Sequence, residues 1–346
     1  MRKLGLLVMS FSLIALAIGF AVSNPQTPTA EKGSQATSAV EKQGPEATQQ
    51  RHFRYAIPQW CQALFGAKYD TAGLLKVAKE LDCDLDLMPH DQWDKAKEAK
   101  VGLSCILPDM GNGPDGKPLA PFAPGFNDPK HTERVHKAID TALDRASAAG
   151  VRYVIVFAGM DTGEARGKQF KRVVDGFTTK KGKESLIQKA ERLKVTFVIE
   201  MLNTKGDEAT WRGHPGFLAN NTEELVKNVV RPIRSDRFKL AFDIYHITLM
   251  GEDALELVKM YHNDIGYVHV AGVMKQAEGH HPKNRGELTL PGQQVDYATI
   301  CAKLSEHLPK GTYLLLEYIP TKAGPAEVQR DLAAAIALCE SKIGKK

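Results

Sequence analysis

Residues 195–203 read VTFVIEMLN, an apolar run interrupted by a single carboxylate, Glu200. Three later runs repeat the pattern: FKLAFDIYH (238–246) carries Asp243, IGYVHVAG (265–272) carries His269, and TYLLLEYIP (312–320) carries Glu317. A charged or polar group inside such a run is costly to bury unless it is paired or bound to a cation. One potential ligand in each of four runs therefore points to a shared site. Three carboxylates and one imidazole suit one hard or borderline divalent ion, Mg²⁺ or Mn²⁺, and the lack of thiolates argues against a closed structural zinc. Taken singly, each residue also reads as a satisfied buried polar group or a strand-end residue, so the fold must decide.

Working outward, four more strand-like runs precede these: FRYAIPQ (53–59), CDLDLMP (83–89), GLSCILP (102–108) and RYVIVFAG (152–159). Amphipathic stretches separate them. In HTERVHKAIDTALDRASAAG (131–150), Val135, Ile139, Ala142, Leu143 and Ala146 recur at three- and four-residue steps before a Gly150 stop. Asn221 followed by Glu224 reads as a helix start. Eight β-then-α units predict a (β/α)8 TIM barrel over 52–343, whose chemistry sits at the C-terminal ends of the strands. A doubly wound open sheet is the alternative, but it wants a glycine-rich turn after the first strand, and YAIPQWCQALFG (55–66) has none.

Ahead of the barrel, Met1-Arg2-Lys3 and the apolar run 4–22 predict a signal peptide over 1–23, with a membrane anchor as the alternative. Residues 24–51 have no aromatic residue and almost no large aliphatics, which predicts a disordered linker. The expected setting is extracytoplasmic, with a membrane tether through the N-terminus if the segment is retained. Five cysteines, Cys61, Cys83, Cys105, Cys301 and Cys339, form no metal-binding spacing and read as small buried hydrophobes, with room for one disulfide. The formal charge of +5 is spread over helix-like segments and not gathered in a stripe, which argues against nucleic acid as a partner. GNGPDGKP (111–118) lacks the context of a phosphate loop, and no nucleophile elbow is present.

The ordered set IEMLNTK (199–205), FKLAFDIYH, GYVHVAG, NRGEL (284–288), QQVDY (293–297) and LLLEYIP (314–320) resembles the hydroxypyruvate isomerase branch of the xylose-isomerase-like TIM barrels. The resemblance covers the whole barrel region. It implies that Glu200, Asp243, His269 and Glu317 hold one divalent ion and that the two glutamates also move protons. It implies further that His246 contacts substrate oxygens and that Arg285 neutralises a substrate carboxylate. The competing readings are a structural histidine and a solvated loop arginine, the latter because MKQAEGHHPK (274–283) looks inserted ahead of Arg285. Asn203 and Lys205 follow Glu200 closely enough to polarise substrate oxygens. His214, Trp211 and Phe217 fall in a loop that could cover the mouth. Asp86 has only a packing case, and His280 and His281 read as a polar loop.

The chemistry implied is isomerisation of a small hydroxy-keto acid or sugar by proton transfer through a cation-stabilised enediolate. His269 at its position is shared with ketose 3-epimerases, so an epimerase or other keto-sugar enzyme is the alternative. A sugar-binding or sensing protein that kept the metal site without turnover is another, and an oligomer is compatible with either.

Overall fold

The computed structural model describes residues 51–205, 213–274 and 285–345. The expected signal segment, the linker up to Gln50, Trp211, and His280 and His281 lie outside these residues. All eight predicted strands form: β1 Arg54–Pro58, β2 Asp84–Asp86, β3 Cys105–Ile106, β4 Tyr153–Phe157, β5 Thr196–Glu200, β6 Phe238–Asp243, β7 Ile265–Val270 and β8 Tyr313–Leu316. They pair in parallel in the order β2-β1-β8-β7-β6-β5-β4-β3. The remaining gap is spanned by Leu85 and Leu103, with backbone hydrogen bonds from Leu85 to Gly102, from Ser104 to Leu85 and from Leu87 to Cys105. A nearly closed eight-stranded α/β TIM barrel results.

The strands read as near-continuous apolar runs because both faces are buried. One face fills the barrel interior with Ala56, Cys105, Ile155, Val198, Ala241, Tyr267, Tyr313 and Leu315. The other packs against the outer helices. The helix Thr132–Ala149 buries Val135, Ile139, Ala142, Leu143 and Ala146 as its periodicity predicts, and Gly150 stops it in the left-handed region at φ 69°. Asn221 accepts from the Glu224 amide at 2.8 Å and starts the helix Thr222–Leu225. All five cysteines are buried and free, so they are the small hydrophobes expected. Among the described residues no helix is long and apolar enough to cross a membrane.

Parallel register then carries the polar residues to one end. Glu200 is the last residue of β5, Asp243 the last of β6 and directly paired with His269 on β7, and Glu317 follows β8 with its amide donating to the Val270 carbonyl at 2.9 Å.

Candidate active site

Asp243 does two jobs at the exit of β6. Its Oδ1 accepts from the His246 amide at 3.0 Å and caps the helix Ile244–Met250. Its Oδ2 is left buried without a hydrogen-bond partner among the described residues. That oxygen is 3.7 Å from His269 Nδ1, which also lies 2.9 Å from Glu200 Oε1 and 3.0 Å from Glu317 Oε2. One ligand atom from each of the four residues falls within 4.8 Å of all the others, and all four residues are buried. Glu317 Oε2 likewise lacks a partner of good hydrogen-bond geometry. The unpartnered Asp243 Oδ2, with carboxylate oxygens of Glu200 and Glu317 and the His269 imidazole nitrogen gathered around it, fits a divalent cation.

Without a cation the cluster redistributes charge. Burial pushes Glu200 up to about 8, against the pull of His269. Burial acts to lower His269, but Glu200 and Glu317 outweigh it and hold the imidazole well above its ordinary value. Burial would raise Asp243, but His246, His269 and Arg285 outweigh it and hold the carboxyl low. Glu317 is also held low, because Arg285 and His269 outweigh its burial.

Arg285 is in the site. Its Nη2 lies 2.8 Å from Glu317 Oε2, and its guanidinium carbon lies over the Trp60 ring at 5.5 Å and the Tyr245 ring at 4.9 Å. It is 5% exposed, which overturns the reading of a solvated loop arginine. Backbone ties hold it there: its amide donates to Gly272 at 2.8 Å and its carbonyl accepts from Ile319 at 2.6 Å, at a φ of 72°.

His246 is buried, and its Nδ1 lies 3.1 Å from the Asn203 amide, with Asn203 Nδ2 at 2.8 Å. A backbone N–H can only donate, so Nδ1 accepts and the neutral ring carries its proton on Nε2. Burial, assisted by Arg285, holds its pKa down to about 3. Arg285 Nη1, likewise only a donor, faces Nε2 at 3.2 Å, so donors stand at both ring nitrogens. Lys205 is exposed, with Nζ beside Gly251 at the far end of the seven-residue helix that Asp243 caps. Such a helix advances about 10 Å, so the ammonium is not gathered into the cluster.

Phe217, placed by sequence in a covering loop, is instead a buried wall residue bridged to Met160 on the β4 exit. Trp60 and Tyr245 had no functional reading in the sequence, although both sit just past strand ends at the rim where barrel chemistry occurs. Asp86 lies inside the barrel, where its Oδ2 accepts from Ser104 Oγ and Tyr267 OH, each at 2.5 Å.

Residues 85–338 match the model of the xylose isomerase-like TIM barrel family. This chain belongs to that family. An inosose dehydratase of Clostridium perfringens is 30% identical over 135 residues, which cover 36% of this chain and 45% of that protein. The match thus spans less than half of that relative. The IolI protein, solved with a bound zinc atom, superposes with a TM-score of 0.61 at 15% identity, covering 85% of this chain and all of that one. A D-psicose 3-epimerase solved in the presence of D-fructose superposes with a TM-score of 0.60 at 12% identity, covering 84% and 100%. At these identities the two structures establish the shared xylose isomerase-like fold and no more.

Proposed function

We propose that this chain is a divalent-metal-dependent isomerase or epimerase of a small polyhydroxy ketone. The observation that carries the reading is the convergence of Glu200, Asp243, His269 and Glu317 at the barrel mouth, with the Asp243 Oδ2 oxygen left unpartnered. A bound divalent ion would polarise a carbonyl and its adjacent hydroxyl and so ease removal of the proton between them. The remaining work falls to this chain. Glu200 and Glu317 come from β5 and β8 and approach the cluster from two sides, so one takes the carbon-bound proton and the other completes the transfer. Arg285 and His246 border the cluster and offer polar groups to a substrate oxygen.

Charge supports a neutral substrate over a keto acid such as hydroxypyruvate. Three carboxylates, one divalent ion and Arg285 sum to zero, while His246 is held neutral. Proton transfer from substrate to a glutamate conserves that balance, whereas a buried substrate carboxylate would add an uncompensated charge. The apolar segment at 4–22 supports an exported setting, where sugar breakdown products are the ketones at hand. The test is a panel of three- to six-carbon ketoses and hydroxypyruvate, offered to Mn²⁺-loaded protein in deuterated buffer and followed by NMR. Isomerisation, epimerisation or exchange of a ketose supports the proposal. Turnover of hydroxypyruvate alone moves it to the keto-acid branch, and binding with no turnover makes the chain a sugar sensor.

A further inference from the structure

His214 belongs to none of the roles above, yet it reaches the site. It opens the turn formed with Pro215, Gly216 and Phe217, in which the Phe217 amide donates to the His214 carbonyl at 3.0 Å and Gly216 takes a φ of 83°. The turn is fastened on two sides. The His214 amide donates to the Asn203 carbonyl at 2.7 Å, and the Gly216 carbonyl accepts from the Asp161 amide at 2.7 Å. The turn that carries the ring is thereby tied to the exits of both β5 and β4.

The imidazole lies edge-on to Phe122 at 4.4 Å, and its centroid is 5.7 Å from that of His246. Its Nδ1 is buried and has no hydrogen-bond partner among the described residues. A buried polar atom left in that state costs stability unless a ligand fills it. Burial, assisted by the Arg285 charge, holds its pKa down to about 4, so the ring offers one donor and one acceptor at neutral pH. Such a group suits a hydroxyl. His246 already borders the cluster, with Nε2 3.7 Å from Asp243 Oδ2, and His214 stands one ring farther out. If a substrate runs from the cluster past His246, a three-carbon ketone falls short of His214 and a five- or six-carbon one reaches it.

We propose that His214 is a substrate-contacting residue that selects for chain length, hydrogen-bonding a hydroxyl beyond the oxygens handled at the carboxylate–histidine cluster. Phe122 fixes the ring and supplies an apolar wall beside that hydroxyl. The inference rests on the polyhydroxy-ketone reading, so its test uses polyols, which lack a carbonyl and are not turned over.

Calorimetry on the full Mn²⁺-loaded chain would compare glycerol with xylitol in wild type, His214→Ala and His214→Gln. Wild type should bind xylitol more tightly than glycerol. His214→Ala should weaken xylitol about tenfold, the size of one neutral hydrogen bond, and leave glycerol and metal content unchanged. His214→Gln should recover part of the loss. Equal binding of the two polyols by wild type, an equal loss for both in the alanine variant, no loss at all, or a stably folded glutamine variant without recovery would each overturn the assignment. A wild type that binds xylitol through His214 but turns over no ketose would refute the enzymatic reading and leave this contact standing.

Discussion

The Arg285 guanidinium and the Glu317 carboxylate form a buried ion pair 2.8 Å apart, one from the segment after β7 and one from the end of β8. The guanidinium also lies over the rings of Trp60 and Tyr245, so residues from three separate strand exits contact it. Removing one partner of such a pair strands the other charge. Arg285→Ala should lower the unfolding free energy of the metal-free protein by about 3–5 kcal/mol in urea titrations. A loss within error of zero would show that the pair carries no structural weight.

Asp243→Asn and His269→Ala should each sharply reduce bound divalent metal in elemental analysis of purified protein. Asp243→Asn should also keep most of the helix cap, because an asparagine oxygen still accepts from the His246 amide. Equal metal in both variants and in wild type would remove the metal assignment.

Metal affinity should rise with pH. In the metal-free cluster burial holds Glu200 up to about 8, and Glu200 and Glu317 hold the His269 imidazole above its ordinary value. A cation must displace those protons, so binding weakens as pH falls below 8. Calorimetry in buffers of different ionisation enthalpy should detect proton release at pH 7, and an absence of release would contradict the protonated cluster.

Inside the barrel, burial raises Asp86 to about 6 from an ordinary 3.8, partly opposed by the Ser104 and Tyr267 hydrogen bonds. Between those values the native state holds a proton that the unfolded chain has released. Asp86 thus adds stability below about 4 that is lost as pH rises through 6, on the order of 3 kcal/mol. Asp86→Asn should flatten that part of the stability profile relative to wild type. Parallel profiles would show that Asp86 does not titrate in this window.

The barrel was legible because parallel strands buried on both faces announce themselves as apolar runs, and the candidate site because four such runs each carry one Glu, Asp or His that the fold brings to one end. Boundaries were less legible. GLSCILP contributes only Cys105–Ile106 to the paired ladder, since Leu103 makes only an isolated bridge and Pro108 has no amide to give. The burial of Arg285 was hidden because what buries it, Trp60 and Tyr245, is remote in sequence from NRGEL. The packing reading of Asp86 agrees with its buried hydrogen bonds, but its partner Tyr267, 181 residues away, was not legible.

Deuterium incorporation from solvent reads most directly the proposed transfer of a carbon-bound proton by Glu200 and Glu317 beside a bound cation. Metal content is measured on every sample, since both residues are proposed ligands. Mn²⁺-loaded wild type should incorporate solvent deuterium into a five- or six-carbon ketose at the carbons flanking the carbonyl, or transfer the proton internally and yield an isomer or epimer. Glu200→Gln and Glu317→Gln, with metal retained, should each slow that reaction by roughly 10²–10⁴, because glutamine keeps the shape and a ligand oxygen but accepts no proton at neutral pH. A fully metallated wild type that leaves every ketose unexchanged and unchanged, or glutamine variants that match wild type, would contradict the account.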